Sequence, residues 1–448
     1  MKEKSGKRHL SFNLHHVFSS GLKTNFQQAA PFWIASLLTG LVAVGYTKLF
    51  GYAEDLLQLI FRWHRWSIFI LAPLCFFMAW LVVQKFAPKA RGSGIPQVMA
   101  AIELSTPRFD GLVDRLLSIR IVIVKILSSV LLLLGGGAIG REGPTIQIAG
   151  SIFRVVNKLI PATWTKLSNQ SFILTGAAAG LAAAFNTPLG GIVFAVEELA
   201  KIHMRFFRTA LFSAVIIAGL TAQGLLGSYL YLGYPDVRRL PFTIFFGVAA
   251  TAILAGFLGA LMAKLILLIN TWKKSFRLSK TILFIFLSGI LIAAIAYFLD
   301  EQILGSGKDL MNSTLFTPNK EVPWHTVIMR TVGPAICFNT GGAGGIFAPS
   351  LAAGASVGAF LSSFFTLSDA SANILILSGM VGFLTGVTRT PFTSAILVLE
   401  MTDRHSVIFH LMLAGLISNI SAFLVDKRSL YDRLKESYIK EVVPERKE

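Results

Sequence analysis

The sequence predicts an all-α polytopic membrane protein. Three observations carry that class. Hydrophobic residues make up 54% of the 448 positions and Asp, Glu, Lys and Arg only 14%, against about 25% charged in a soluble domain; mean hydropathy is +0.66. Uncharged runs cover 209–235, 240–263, 281–299, 331–368 and 370–388, and about 20 apolar residues suffice for a spanning helix. The net charge is +18, but the basic residues sit in short polar gaps. They group as Lys2, Lys4, Lys7 and Arg8; Lys85, Lys89 and Arg91; Lys201, Arg205 and Arg208; and Lys273, Lys274, Arg277 and Lys280. That is the positive-inside pattern of cytoplasmic loops, so nucleic acid is not expected as a partner.

Apolar segments fall at 31–50, 67–84, 116–139, 171–199, 207–233, 241–270, 281–299, 324–366, 371–401 and 406–425. The residues before Pro31 are polar, without the apolar core of a cleaved signal, and are expected to form a cytoplasmic segment 1–30. Several apolar segments are too long or too glycine-rich for one straight span. Gly and Pro interrupt them at 92–96, 135–144, 341–349 and Pro391. Broken helices persist in a bilayer only where the freed backbone is buried in protein or lines a cavity. The glycine clusters are therefore the first place to look for function.

The chain also repeats. Thr187-Pro188 leads into an apolar run ending at Glu197, and Thr390-Pro391 leads into one ending at Glu400. Both pairs are offset by 203 residues (390 − 187 and 400 − 197), as are Thr175-Gly176 and Ser378-Gly379. Two related halves with interrupted helices mark a transporter whose site lies at the repeat interface. The halves are expected at about 31–230 and 240–425.

Three segments share one physical idea: Gly92-Ser93-Gly94-Ile95-Pro96, Gly140-Arg141-Glu142-Gly143-Pro144 and Gly344-Gly345-Ile346-Phe347-Ala348-Pro349. Each has glycines, then a proline, then helix formers. Proline is tolerated in a helix's first turn, where its missing N–H costs nothing. Each segment thus reads as a helix N-terminus inside the membrane, with unpaired N–H groups and roughly +0.5 charge. Several aimed at one point make an anion site without a full positive charge, which suits a small ion that must bind and leave.

In these motifs and their order, the sequence resembles the CLC family of chloride channels and chloride/proton antiporters. The run TGAAAGLAAAFNTPLGGIVFAVEE from Thr175 to Glu198 and Leu430-Tyr431 near the end add to the likeness, which covers about 31–436. The resemblance implies a CLC-type fold of two related inverted halves with many tilted and broken helices, then a short helix carrying Tyr431. A cytoplasmic tail, 437–448, follows. It further implies a homodimer in a bacterial plasma membrane, cytoplasmic termini, and chloride and protons as the transported ions.

Glu142 is the sharpest residue. A carboxylate at a helix N-terminus in apolar sequence is costly, and dipoles and desolvation pull its protonation in opposite directions. It can act as a switch, an anion mimic when charged and displaced when protonated. The resemblance assigns it the gating and proton-carrying role. Ser93 can donate one hydrogen bond to an anion, and the resemblance places it with Tyr431 at the central chloride site, where serine goes with chloride, proline with nitrate and methionine with fluoride export. Ile346 and Phe347 would contribute backbone N–H groups there. Glu197 and Glu198 lie about 100° apart on a helix; by resemblance Glu198 is the internal proton relay, and Glu197, with its repeat mate Glu400, is structural. Lys125, alone in an apolar run, is expected to offset negative charge along the pathway, with snorkelling to the membrane interface as the alternative. Cys75 and Cys337 sit in apolar runs, and the scattered histidines form no metal spacing, so no cofactor or metal is expected. Gln97 and Met99 stand where the family often has acids.

The resulting expectation is a chloride/proton antiporter. A passive, voltage- or pH-gated chloride channel is the alternative, and Glu198 favours exchange. A remote alternative, an intramembrane enzyme using Ser93, lacks a base and an oxyanion arrangement.

Overall fold

A computed structural model describes residues 14–443 except 162, 165–167, 200–207, 228–229 and 319. Of the residues singled out above, Lys2, Lys4, Lys7, Arg8, Lys201 and Arg205 lie outside the described residues. The first half of the described chain contains α1 (Leu14–Trp63), α2 (Ile68–Phe86), α3 (Ile95–Leu104), α4 (Asp110–Val113), α5 (Ile119–Leu134), α6 (Glu142–Leu159), α7 (Asn169–Phe185), α8 (Pro188–Phe194) and α9 (Arg208–Leu226). The second contains α10 (Ile244–Lys273), α11 (Leu278–Phe298), α12 (Lys308–Phe316), α13 (Trp324–Phe338), α14 (Phe347–Ser362), α15 (Asp369–Thr388), α16 (Pro391–Thr402), α17 (Ile408–Phe423) and α18 (Leu430–Val442). A π-helical turn, Ala195–Leu199, continues α8. Among the described residues, α1, α2, α9, α10, α11, α15 and α17 are long and apolar enough to cross a membrane. The protein is an integral membrane protein.

The helix breaks fall where the glycines and prolines put them. The segment 324–366 divides into α13 and α14 around Gly341–Gly345. α7 ends at Asn186 (φ 58°) and α15 at Arg389 (φ 63°), both in the left-handed region and again 203 residues apart (389 − 186). Each is followed by a Thr-Pro pair that opens the next helix, α8 or α16. Proline biases the residue before it away from helical geometry, so the turn is written into the sequence twice.

The packing repeats as well. α6 lies on α7 as α14 lies on α15, and α1 on α9 as α10 on α17. Glycines make these crossings close. A Cβ on Gly354 would run into the carbonyl of Gly379, and a Cβ on Gly379 into that of Gly354. Small residues at such contacts let backbones approach where no hydrophobic force separates helix from lipid. α15 is buried from Ala370 to Thr388 without interruption. A helix apolar on every side belongs at the centre of a large bundle, and α10, α14, α16 and α17 surround it.

The two halves are locked by a reciprocal exchange of caps. Glu197 accepts hydrogen bonds from Phe392 N (3.2 Å), Thr393 N (2.6 Å) and Thr393 Oγ1 (2.7 Å). Glu400 accepts them from Leu189 N (3.0 Å) and Gly190 N (2.6 Å). Each glutamate, near the C-terminal end of one helix, satisfies the orphan N–H groups of its counterpart in the other half. Two neighbouring helices whose C-terminal ends each lie at the other's N-terminus run antiparallel. Since α8 and α16 are equivalent in the repeat, the two halves are inverted relative to one another.

Replacing Glu197 or Glu400 with alanine removes charge-assisted bonds to a helix N-terminus, worth about 1–2 kcal/mol each. Unfolding in detergent followed by tryptophan fluorescence is expected to show similar losses for the two variants. An undiminished stability in either would mean that its cap is idle.

Candidate anion and proton site

The three glycine motifs come together through backbone pairing. Gly92 N donates to Gly342 O (2.8 Å) and Gly344 N to Gly92 O (3.1 Å). Gly140 N donates to Gly345 O (2.8 Å) and Gly345 N to Gly140 O (2.7 Å). These are the two isolated β-bridges among the described residues. They place the N-termini of α3, α6 and α14 side by side. Gly94, at φ 107°, caps α3; a Cβ there would lie 2.8 Å from Gly143 O and from Gln147 Cβ. A Cβ on Gly345 would sit 3.0 Å from Gly143 N. Only glycine permits this approach, and the result is three sets of first-turn N–H groups around one point.

Side chains complete the point. Ser93 is buried between α3 and α6, and a Cβ on Gly143 would collide with its Oγ. Tyr431, fully buried at the start of α18, reaches the same place. Its ring stacks on Phe347 with centroids 6.3 Å apart and an interplanar angle of 16°, and its hydroxyl lies against Ser93. The two hydroxyls face one another, and among the described residues neither reaches any further hydrogen-bond partner. Buried hydroxyls with unused hydrogen-bonding capacity are costly, and an anion between them would accept from both. Ile346 caps α14 and Phe347 begins it, both buried, so their amides face outward from the helix start. The Phe347 ring also packs edge-on against Phe194. Its packing and its amide serve different neighbours.

Glu142 lies at the first position of α6 and is 1% exposed. Its carboxylate folds back over Gly140, where a Cβ would meet Oε2, and lies near the N–H groups of Glu142 and Ala348. It thus lies beside the first-turn N–H groups of α14. Glu198 is buried in the π-helical turn, and the Tyr431 hydroxyl is within electrostatic reach of both Glu198 and Glu142. The structure therefore brings Ser93, Glu142, Ile346, Phe347 and Tyr431 to one locus, with Glu198 on the Tyr431 flank.

Lys125 departs from its expectation. It makes no ion pair among the described residues. It is fully buried on α5, and its Nζ donates to Ala90 O and Gly92 O at 2.8 Å each. An ammonium with no carboxylate in reach satisfies itself on carbonyls, so Lys125 holds the loop before Ser93 rather than offsetting charge along a path. Gln97 Nε2 also holds that loop, donating to Arg91 O (2.7 Å) and Lys89 O (3.2 Å). Gln147 Nε2 reaches Leu116 O (2.9 Å) and Lys89 O (3.4 Å). These supporting roles were invisible in the sequence because the partners are carbonyls, which carry no residue identity.

Two cavities flank the site. One, of about 310 Å³, is lined by Arg91, Lys273, Lys274, Asn339, Tyr438 and Glu441, among others. The second, of about 390 Å³, is lined by Glu54, Arg62, Glu301, Asp309 and Arg330. They lie at opposite ends of α2 and α11. Gln84 and Thr281 line the first, whereas Ile68 approaches Leu304 of the second and Phe69 packs on Tyr297 and Phe298 at the other end of α11.

Inverted halves, spanning helices and helix N-termini converging inside the membrane define a polytopic transport protein rather than an enzyme. The chain belongs to the voltage-gated chloride channel family, whose model matches residues 75–422. It is 28% identical over 419 residues to the H(+)/Cl(-) exchange transporter ClcA of Salmonella arizonae, covering 90% of this chain and 86% of that one. Among solved structures it resembles a slow cyanobacterial Cl-/H+ antiporter, with a TM-score of 0.79 and 24% identity over 92% and 98% of the two chains. It also resembles a CLC-type fluoride/proton antiporter, with a TM-score of 0.72 and 19% identity over 90% and 96%. The shared fold accommodates different anions, so the ion must be argued from the site.

Proposed function

We propose that this protein exchanges chloride for protons across a bacterial plasma membrane. The observation that carries the reading is the pair of buried hydroxyls of Ser93 and Tyr431, which face one another beside three helix N-termini with no further partner among the described residues, and with the Glu142 carboxylate lodged next to them. Hydroxyls and dipoles bind a halide without holding it as firmly as a full charge would. Ser93 at this position favours chloride, and the exchange named for the Salmonella relative supports it.

In this mechanism chloride arrives through the cavity beside Arg91, Lys273 and Lys274. Its basic lining, together with the clusters 85–91 and 273–280, supports a cytoplasmic position for that cavity by the positive-inside rule. α18 lies at the same end, and in this reading both termini are cytoplasmic. Chloride accepts from Ser93 Oγ, Tyr431 Oη and the amides of Ile346 and Phe347. Charged Glu142 competes for the next position as a tethered anion. Protonation removes its claim on those N–H groups, the side chain swings out, and chloride passes. Glu198 exchanges the proton with the cytoplasm. One carboxylate thereby serves chloride in one direction and the proton in the other. We propose that the protein works as a homodimer with one such pathway in each subunit.

Liposomes holding the purified protein, under a chloride gradient and with voltage clamped by potassium and valinomycin, test this directly. Chloride-dependent uphill proton uptake is expected; chloride flux without it would establish a channel. Glu142→Gln, a mimic of the protonated state, should leave chloride flux running and abolish proton coupling, and surviving proton pumping would sink the mechanism. Glu198→Gln should reduce proton transport at least about tenfold, the scale of losing a general acid–base group, while chloride movement persists. Gly143→Ala directs a methyl at Ser93 Oγ and should eliminate chloride binding measured by calorimetry; retained binding would displace Ser93 from the site.

A further inference from the structure

We infer that Arg91, Tyr438 and Glu441 form a clamp that sets the spacing between the Ser93 and Tyr431 hydroxyls, which makes them positioning residues for the anion site. The inference rests on the reading of Ser93 and Tyr431 as chloride ligands.

The two hydroxyls come from opposite ends of the chain. Ser93 follows the loop 89–92. The carbonyls of that loop are all taken by donors: Lys89 O by Gln97 and Gln147, Ala90 O by Lys125, Arg91 O by Gln97 and Tyr438, and Gly92 O by Lys125 and Gly344 N. The loop is rigid, and so is the serine behind it. Tyr431 rides on α18, whose buried positions, Leu430, Tyr431, Leu434, Tyr438 and Val442, form one face. Apolar packing along that face is not directional; alone it would leave α18 free to slide or roll by a fraction of an ångström.

The directional contacts lie two turns further on. Tyr438 is seven residues after Tyr431, about 10.5 Å along the same face. Its hydroxyl donates to Arg91 O at 3.2 Å, and the Arg91 guanidinium sits over its ring at 5.2 Å. Arg91 Nη2 donates to Glu441 Oε1 at 2.5 Å, while Lys89 engages the other oxygen of the same carboxylate. Arg91 is thus gripped by α18 in three ways, and it lies two residues before Ser93. Among the described residues, the other ion pair from α18 to the first half, Lys435–Glu103 at 2.9 Å, reaches the far end of α3, where Glu103 is largely exposed. It is badly placed to fix Ser93. Burial raises the Glu441 carboxyl, but Arg91 and Lys89 outweigh it and hold the group below the usual carboxylate range. The clamp therefore stays charged at neutral pH and is a permanent spacer rather than a pH switch.

A spacer between two donors selects anions by size. Calorimetric titration of the purified full-length protein with chloride and with bromide tests this. Glu441→Ala is expected to weaken chloride binding about fivefold, equivalent to about 1 kcal/mol, and to shift the bromide-to-chloride affinity ratio by about threefold. Glu441→Gln, which keeps a hydrogen-bond acceptor, should fall in between, and Tyr438→Phe should move the ratio in the same direction. Glu436→Gln breaks the exposed pair that Glu436 of the same helix makes with Arg428 just before it and should change neither quantity. Unaltered affinities in Glu441→Ala, or equal weakening of both anions, would overturn the clamp; the second result would mean only that α18 had loosened. If Glu441→Ala does not fold, Glu441→Gln and Tyr438→Phe decide by the same ratio. Absence of chloride binding in the parent protein would overturn the anion-site reading itself, and the clamp with it.

Discussion

Everything at the centre of this molecule follows from one constraint: in a bilayer, an interrupted helix must find partners for the backbone groups it releases. Three helices begin inside the protein, and their preceding loops answer the constraint by pairing with one another, Gly92 with Gly342 and Gly344, and Gly140 with Gly345. The N–H groups that remain belong to the first turns, and they point at a common place. A cluster of first-turn N–H groups is what is left over once the loops have satisfied themselves.

That arrangement explains why the site contains so few charged groups. Arg141 and Lys308 lie at its edge, within electrostatic reach of Glu142, but the point where α3, α6, α14 and α18 meet is lined by hydroxyls and amides. A formal cation at that depth would bind a halide too firmly to release it. Partial charges give selectivity for negative ions at an affinity compatible with turnover. The carboxylate beside them, Glu142, is negative and buried.

Much of this was legible in the sequence, and for identifiable reasons. Membrane class came from uncharged runs, helix breaks from Gly and Pro, and the repeat from Thr-Pro and Glu at a constant offset. The convergence of the three motifs rested on their shared first-turn chemistry, which is local. What was not legible depended on pairing across long separations. Lys125 looked like a charge along a pathway because the sequence shows its ammonium and hides the carbonyls of Ala90 and Gly92. Arg91 and Glu441 stand 350 residues apart, and nothing near either one announces the other. Glu197 was read as structural from its repeat mate, yet the sequence could not show that the two acids cap each other's helices rather than their own.

The exchanged caps also bear on how the chain is made. Glu197 waits for partners 195 and 196 residues downstream, and the N-terminus of α8 waits for Glu400, about 210 residues later. At roughly 5–20 residues per second of synthesis, that interval lasts about 10–40 s. For that time the first half sits in or beside the membrane with an unsatisfied carboxylate and an uncovered helix start. The nascent half is therefore marginal by construction, dependent on insertion machinery or water-filled surroundings until its twin arrives. The exchange that makes the halves symmetric also leaves each of them incomplete without the other.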